Sequence, residues 1–311
     1  MQLDVYGIVI QIDSFSTYLE TLFITEYSYW NIKQKALCDE KIQVRILKKG
    51  LDVWDISNAM VLNTDKNKYF FKNNIVYVMT HDKSMVAQID TASNNISLFL
   101  ESEHIEAYFF CKAVLNALVA YIFKKNNIHR IHGAVLTKGN KVIIVLGQSG
   151  SGKSTSAYYL HKAGFEFYGD DILYITFNND NVEILPYPNC LSTDLCENNY
   201  AMRYQDGYRM KAFLPIVANN FPVKYQLYML SLSLSTNKQS VLKDLSFSDK
   251  TSILNNSFVT TPFEHFSVDN NREKFEIIYS IINTAKFKKV ILGLEEKSFV
   301  EIVNELIENP V

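Results

Sequence analysis

The sequence predicts an α/β chain in two parts, a β-rich N-terminal domain and a C-terminal domain of alternating strands and helices. Three observations carry this. Residues 1–102 contain short runs of β-branched and aromatic residues separated by Asn, Asp, Lys and Ser clusters. The apolar run Val142 to Leu146 leads into a glycine-rich turn and then a helix-forming stretch. From residue 128 onward, candidate strands alternate with amphipathic helices. The resulting boundaries are 1–102 for the first domain, 103–127 for a linking helix and 128–311 for the second domain.

At 311 residues, 48% apolar and 21% charged, the chain has the balance of a globular protein with room for two domains. A net charge of −2 gives no electrostatic reason to expect nucleic acid or an anionic membrane as partner. The four cysteines, Cys38, Cys111, Cys190 and Cys196, lack metal-ligand spacing and read as free thiols of a reducing compartment. The acidic start MQLDVYGIVIQID does not read as a secretory signal. The most apolar helical stretch, Tyr108 to Phe123, is too short to span a bilayer and contains Lys112. A cytoplasmic protein is expected, and a homo-oligomer is compatible with the sequence.

In the first domain VYGIVIQI, KIQVRILKK, KYFFK, NIVYVMT, MVAQID and ISLFL read as strands of an antiparallel meander or sandwich. Trp30 and Trp54 read as core or interface residues. Glu103 to Asn127 has helical apolar spacing. Arg130 to Leu136 reads as one strand, with a turn at Gly139-Asn140 before Lys141 to Leu146. A two-residue hairpin there pairs Lys138 with Lys141 and sets His132 level with Gly147.

The turn itself is Gly147-Gln148-Ser149-Gly150-Ser151-Gly152-Lys153-Ser154, with Thr155 next: G-x-x-x-x-G-K-S between strand and helix. Glycines let backbone N–H groups close around an anion, and the helix start adds a positive dipole end. Lys153 can reach the β- and γ-phosphates of a nucleotide, and the Ser154 hydroxyl can hold Mg²⁺. ATP and Mg²⁺ are the expected cofactors. The helix ends at Gly164, a C-cap residue, and a short strand follows to Gly169.

Asp170-Asp171 comes seventeen residues after Lys153, one helix, one turn and one strand on. A strand returning along the sheet brings the pair to the edge that carries the phosphate loop. There one carboxylate can hold the metal and the other can take a proton from an attacking hydroxyl. Downstream, Ile172 to Phe177 and Val182 to Leu185 form a hairpin. Asp206 to Lys211 reads as a turn in which Arg209 and Lys211 can meet phosphate or substrate. Val223 to Leu234 and Lys288 to Leu294 are strands, Ser248 caps a short helix, and Glu273 to Ala285 and Glu296 to Glu308 are helices. His104 and His129 read as incidental surface residues, and His161 and His265 receive no role.

The motif set His132-Gly133, Gly147 to Ser154, Gly164 and Asp170-Asp171 resembles the HPr kinase/phosphorylase family, closely over about 45 residues. Phosphoenolpyruvate carboxykinases share its phosphate-loop fold. The resemblance implies ATP-dependent phosphorylation of a serine hydroxyl. It puts Asp170 as general base, Asp171 as the metal-associated carboxylate, with an exchange of those roles left open, and His132 as an active-site histidine. No E-I-R-G-L-G-like run follows Asp171, which puts HPr as substrate and the reverse phosphorolysis in doubt. YGIVI, LPYP and RMKAFLP look like the group that phosphorylates a serine of a ribosomally made, lasso-type precursor peptide. Free serine or HPr as acceptor, a non-catalytic ATP-binding module, and a carboxykinase-like enzyme are the alternatives. The last needs a cluster of arginines that the sequence does not place near the site.

Overall fold

Alternating buried and exposed residues build the first sheet of the computed structural model, which describes residues 2–13, 36–48, 54–100, 108–178, 181–187, 191–193, 202–206, 209–214, 221–264 and 271–308. The chain divides into two compact units, residues 1–126 with 260–269, and residues 127–259 with 270–311. The helical segment set apart in the sequence as a linker, 103–127, lies in the first unit as far as residue 126.

The first unit holds strands β1 (Gln2–Val5), β2 (Ile8–Asp13), β3 (Glu40–Lys48), β4 (Met60–Asn63), β5 (Asn67–Lys72), β6 (Ile75–Thr80), β7 (Met85–Asp90) and β8 (Asn95–Leu100). They form one eight-stranded sheet in the order β1-β2-β3-β8-β7-β6-β5-β4. The meander expected from the sequence holds for β4 through β8. It fails at β2, β3 and β8, which run parallel, because the whole β4–β7 meander serves as the crossover from β3 to β8. VYGIVIQI is a hairpin instead of one strand, since Tyr6 (φ 52°) and Gly7 (φ 91°) turn the chain between β1 and β2. Trp54 packs edge-on against Tyr77 and Phe99. A π-helical segment, Tyr108–Leu115, runs into helix α1 (Asn116–Lys125). Trp30, Cys190, Cys196, His104 and His265 lie outside the described residues.

The second unit begins with β9 (Ile128–Ile131), β10 (Ala134–Lys138), β11 (Lys141–Leu146), helix α2 (Lys153–Lys162) and β12 (Glu166–Gly169). The hairpin β13 (Leu173–Asn178) and β14 (Asn181–Pro186) follows, then β15 (Leu191–Thr193), β16 (Met202–Asp206), β17 (Arg209–Leu214) and β18 (Gln226–Leu234). The chain closes with β19 (Val241–Lys243), α3 (Phe247–Ser257), α4 (Asn271–Thr284), β20 (Lys286–Leu292) and α5 (Glu296–Glu308). A six-stranded sheet runs β12-β10-β11-β18-β20-β19. Its centre, β11, β18 and β20, is parallel.

Those central strands are apolar without alternation because both faces are covered. Ile143, Val145, Tyr228 and Leu230 meet α2 and α5 through Ala157, Leu160, Phe299 and Val303. Val142, Ile144, Leu146 and Met229 meet α3 and α4 through Leu254, Ile277 and Ile281, with Leu173 and Ile175 of β13 joining them.

Two corrections position the site. Arg130 to Leu136 is not one strand. The ladder of β10 on β11 pairs Lys138 with Lys141 but ends at Ala134↔Val145, and β9 leaves to join β13 in a second sheet. Segment 257–259 takes the other side of β9: His132 N–H donates to Ser257 O (2.8 Å) and Val259 N–H to Arg130 O (3.1 Å). The cap of α3 is Ser246 rather than Ser248. Ser246 Oγ accepts from Asp249 N–H (3.1 Å), and Ser246 N–H donates to Asp249 Oδ2 (3.3 Å). Ser246→Ala should therefore lower stability by about 1 kcal/mol in urea unfolding, with Ser248→Ala close to neutral.

Candidate functional site

The loop between β11 and α2 is shaped by its glycines. Gly147 has φ 155°, and a Cβ there would lie 2.3 Å from Ser151 Oγ. Gly150 and Gly152 have φ 78° and 89°. Ser151 N–H closes the turn on Gln148 O (3.1 Å), leaving Gln148, Ser149 and Gly150 exposed. Helix α2 starts after Gly152 with no side-chain cap, so its first N–H groups and its dipole face the loop unneutralised. Ser151 Oγ is buried without a hydrogen-bond partner. An orphaned hydroxyl beside uncapped N–H groups is what a bound phosphate would complete.

Lys153 is buried, and its Nζ donates to Gly147 O (2.9 Å) and Gln148 O (3.0 Å). Burial lowers its pKa, while Asp170 and Asp171 oppose that by attraction. The lysine thus already sits within the field of both carboxylates, and Thr155 stands half-buried on the first turn of α2.

Strand β12 delivers the carboxylates. It pairs antiparallel with β10, so it runs parallel to β11 and ends at the same sheet edge as the loop. Asp170 is 4% exposed and its pKa is raised, first by burial, while the Ser154 hydroxyl donates to the carboxylate and offsets part of the cost. Asp170 Oδ1 also accepts from Asp171 N–H (2.9 Å). Asp171 has φ 71°, and Ile172 N–H donates across it to Asp170 O (2.8 Å), a strained γ-turn for a residue with a side chain. That turn aims both Asp171 acceptors at one imidazole. His132 Nδ1 lies 2.8 Å from Asp171 O and 3.0 Å from Asp171 Oδ1. Both neighbours only accept, so Nδ1 carries the proton and Nε2 is left for other work. The Asp171 hydrogen bond raises the pKa of His132, against burial.

Lys153, Ser154, Asp170, Asp171 and His132 therefore converge within one unit of the fold. Arg209 and Lys211 are on strand β17, which pairs with β15 and β16, where the sequence reading had a turn. The polar–apolar alternation of Arg209, Met210, Lys211 and Ala212 is the strand signal in the sequence. His161 Nδ1 is engaged with Phe165 O (3.1 Å). The Ser257 carbonyl that anchors His132 gives no sequence signal, being far along the chain.

Among the described residues no group of three or more His, Cys, Asp or Glu is arranged to hold a metal ion. The donor set of Ser154 with one carboxylate fits an ion that takes most of its ligands from phosphate and water, as Mg²⁺ does. No helix among the described residues is long and apolar enough to cross a membrane.

No family model matches the chain, and no curated protein matches it. A structure of the Hpr(Ser) kinase/phosphatase from Coxiella burnetii is 11% identical, the match covering 58% of this chain and 94% of that one at a TM-score of 0.25.

The His132–Asp171 pair has a signature in stability. A histidine whose folded pKa is raised stabilises below its unfolded value near 6.5, and that contribution is lost as pH rises through the folded value. In metal-free protein, the Tm deficit of His132→Asn relative to wild type should be greatest below pH 6.5 and shrink in alkaline buffer. A deficit independent of pH would show that the ion pair contributes nothing.

Proposed function

We propose that this chain transfers the γ-phosphoryl group of MgATP to a serine hydroxyl. The observation that carries this reading is the buried carboxylate of Asp170 held on Ser154, at the uncapped start of α2 and within the field of Lys153. The motif resemblance to HPr kinases supports serine as the acceptor, and its peptide-tailoring branch favours a serine of a ribosomally made precursor peptide.

In this reading the loop N–H groups and Lys153 hold the phosphates and stabilise charge as it develops on the transferring group. Ser154 and Asp171 would hold Mg²⁺, which when bound neutralises phosphate charge. Asp170 takes the proton of the acceptor hydroxyl. The acceptor oxygen bonds to the γ-phosphorus, the bond to the β,γ-bridging oxygen breaks, and ADP leaves. Burial suits Asp170 to this step, because a carboxylate with raised pKa is a stronger base. His132 fixes the orientation of Asp171 through Nδ1.

A second reading exchanges the aspartates. The Ser154–Asp170 hydrogen bond favours Asp170 on the metal side, which leaves Asp171, 63% exposed, to face the acceptor.

The test is incubation with γ-labelled ATP, Mg²⁺ and three acceptors: a serine-containing precursor peptide, free serine and HPr. Label should appear on the serine oxygen of one of them. Label only in free phosphate would leave an ATP-hydrolysing or regulatory module. Asp170→Asn should bind ATP and lose about 10²–10⁴ of the transfer rate, while Asp171→Asn should raise the Mg²⁺ concentration required. The reverse pattern assigns the roles the other way. Because burial penalises the Asp170 carboxylate, Asp170→Asn should also raise the Tm of the unliganded protein above pH 4.

A further inference from the structure

Arg130 has no part in the nucleotide site as described, yet it is built into the same region. It is half-buried, and its Nε is fully enclosed without a hydrogen-bond partner. Among the described residues it makes no ion pair. An enclosed guanidinium nitrogen without an acceptor is costly, and arginines are otherwise buried against carboxylates or phosphates.

Its place in the fold says which space it serves. On β9, Ile131 faces the core shared with α3 and α4, so Arg130 lies on the opposite face. Its cross-strand partner is Tyr174, whose ring lies 5.6 Å from that of Tyr187. The Tyr187 backbone in turn runs against Gly169, where a Cβ would come within 2.7 Å of Tyr187 O. Gly169 immediately precedes Asp170. Arg130 is thus linked by two tyrosines to the end of β12 and by two residues of chain to His132.

Its direction from the loop matters equally. Ala134 is level with Val145, at the end of the ladder beside the phosphate loop. Going back along the chain through His132 to Arg130 leads away from that edge. Two strand residues span about 7 Å, so the arginine stands beyond His132, farther along β9 from the phosphate loop.

Resting on the function proposed above, we infer that Arg130 is a specificity-determining residue that binds an oxyanion carried by the acceptor, a carboxylate or a phosphate near its serine hydroxyl. The guanidinium fork matches either group with paired hydrogen bonds. It makes no ion pair with Asp170 or Asp171, so its donors are not consumed by the residues of the transfer step.

The test fills the phosphate loop first, so that only a second anion site is read. Wild type, Arg130→Gln and Arg130→Lys are saturated with Mg²⁺ and the non-hydrolysable analogue AMP-PNP, then titrated with inorganic phosphate and, separately, with acetate. At least one anion should bind the loaded wild type; whichever binds better gives the class of the acceptor's group. Arg130→Gln should weaken that binding by about tenfold or more, with Arg130→Lys between, and AMP-PNP affinity should be unchanged. Three results overturn the inference: no anion binding to loaded wild type, equal binding in Arg130→Gln, or weaker AMP-PNP binding in Arg130→Gln, which would assign the arginine to the nucleotide. If wild type takes up no AMP-PNP, the proposed function fails separately. The same titration of unloaded protein in a Lys153→Ala background, comparing Arg130 with Arg130→Gln, then decides the arginine's role by the same two criteria for the anion.

Discussion

The structure of the second unit depends on one unfavourable placement: a carboxylate, Asp170, taken almost fully out of water at the open end of a helix. Burial alone drives such a group toward its neutral form. The Ser154 hydroxyl, the Asp171 N–H and the attraction of Lys153 act against that tendency. None of the three is a full counter-charge in contact. The lysine spends its hydrogen bonds on the carbonyls of Gly147 and Gln148. The N–H groups at the start of α2 have no side-chain cap, and the buried Ser151 hydroxyl beside them has no hydrogen-bond partner. A phosphate with its cation satisfies both at once, which is the physical basis for reading the site as a nucleotide site.

Holding that arrangement takes close backbone approaches and one strained residue. Space for the loop to fold onto itself comes from the missing side chain at Gly147, and space for Tyr187 to pass β12 from the missing side chain at Gly169. The sharp turn at Asp171 is unfavourable for any residue but glycine, though Asp tolerates it better than most. Glycine would relieve the strain and remove the carboxylate that His132 binds. The turn persists because both ends are fixed, by β12 on one side and by β13 on the other. Its effect is to send adjacent carboxylates in different directions, one to Ser154 and one to His132.

Much of this was legible in the chain. Five apolar residues before a G-x-x-x-x-G-K-S run specify strand, loop and helix by local rules, and the Lys138–Lys141 pairing follows from two turn residues. Glu296–Glu308 forms a helix with the bounds its periodicity gives. What local rules could not supply was the break at His132-Gly133. Arg130 to Leu136 reads as one strand, and β9 and β10 separate within it because β13 and segment 257–259 compete for β9 from far along the chain. The parallel placement of β2, β3 and β8 is non-local in the same way. The left-handed Asp171 and the contact of Ser154 with Asp170 are tertiary facts with no periodicity to announce them.

The break in that strand also explains how one imidazole reaches the aspartate turn. Had β9 continued β10 in register, His132 would have paired beside Gly147 within the sheet, its side chain committed to a sheet face. Leaving the ladder at Ala134 frees the residue from that alternation. Its N–H is then satisfied by Ser257 O. Its ring turns to Asp171 across the sheet edge. The same departure carries Arg130 out beyond the loop mouth. A single failure of strand continuity thus sets the geometry of the histidine and the arginine together, and substitutions that restored pairing of residues 131–133 with β11 would displace both.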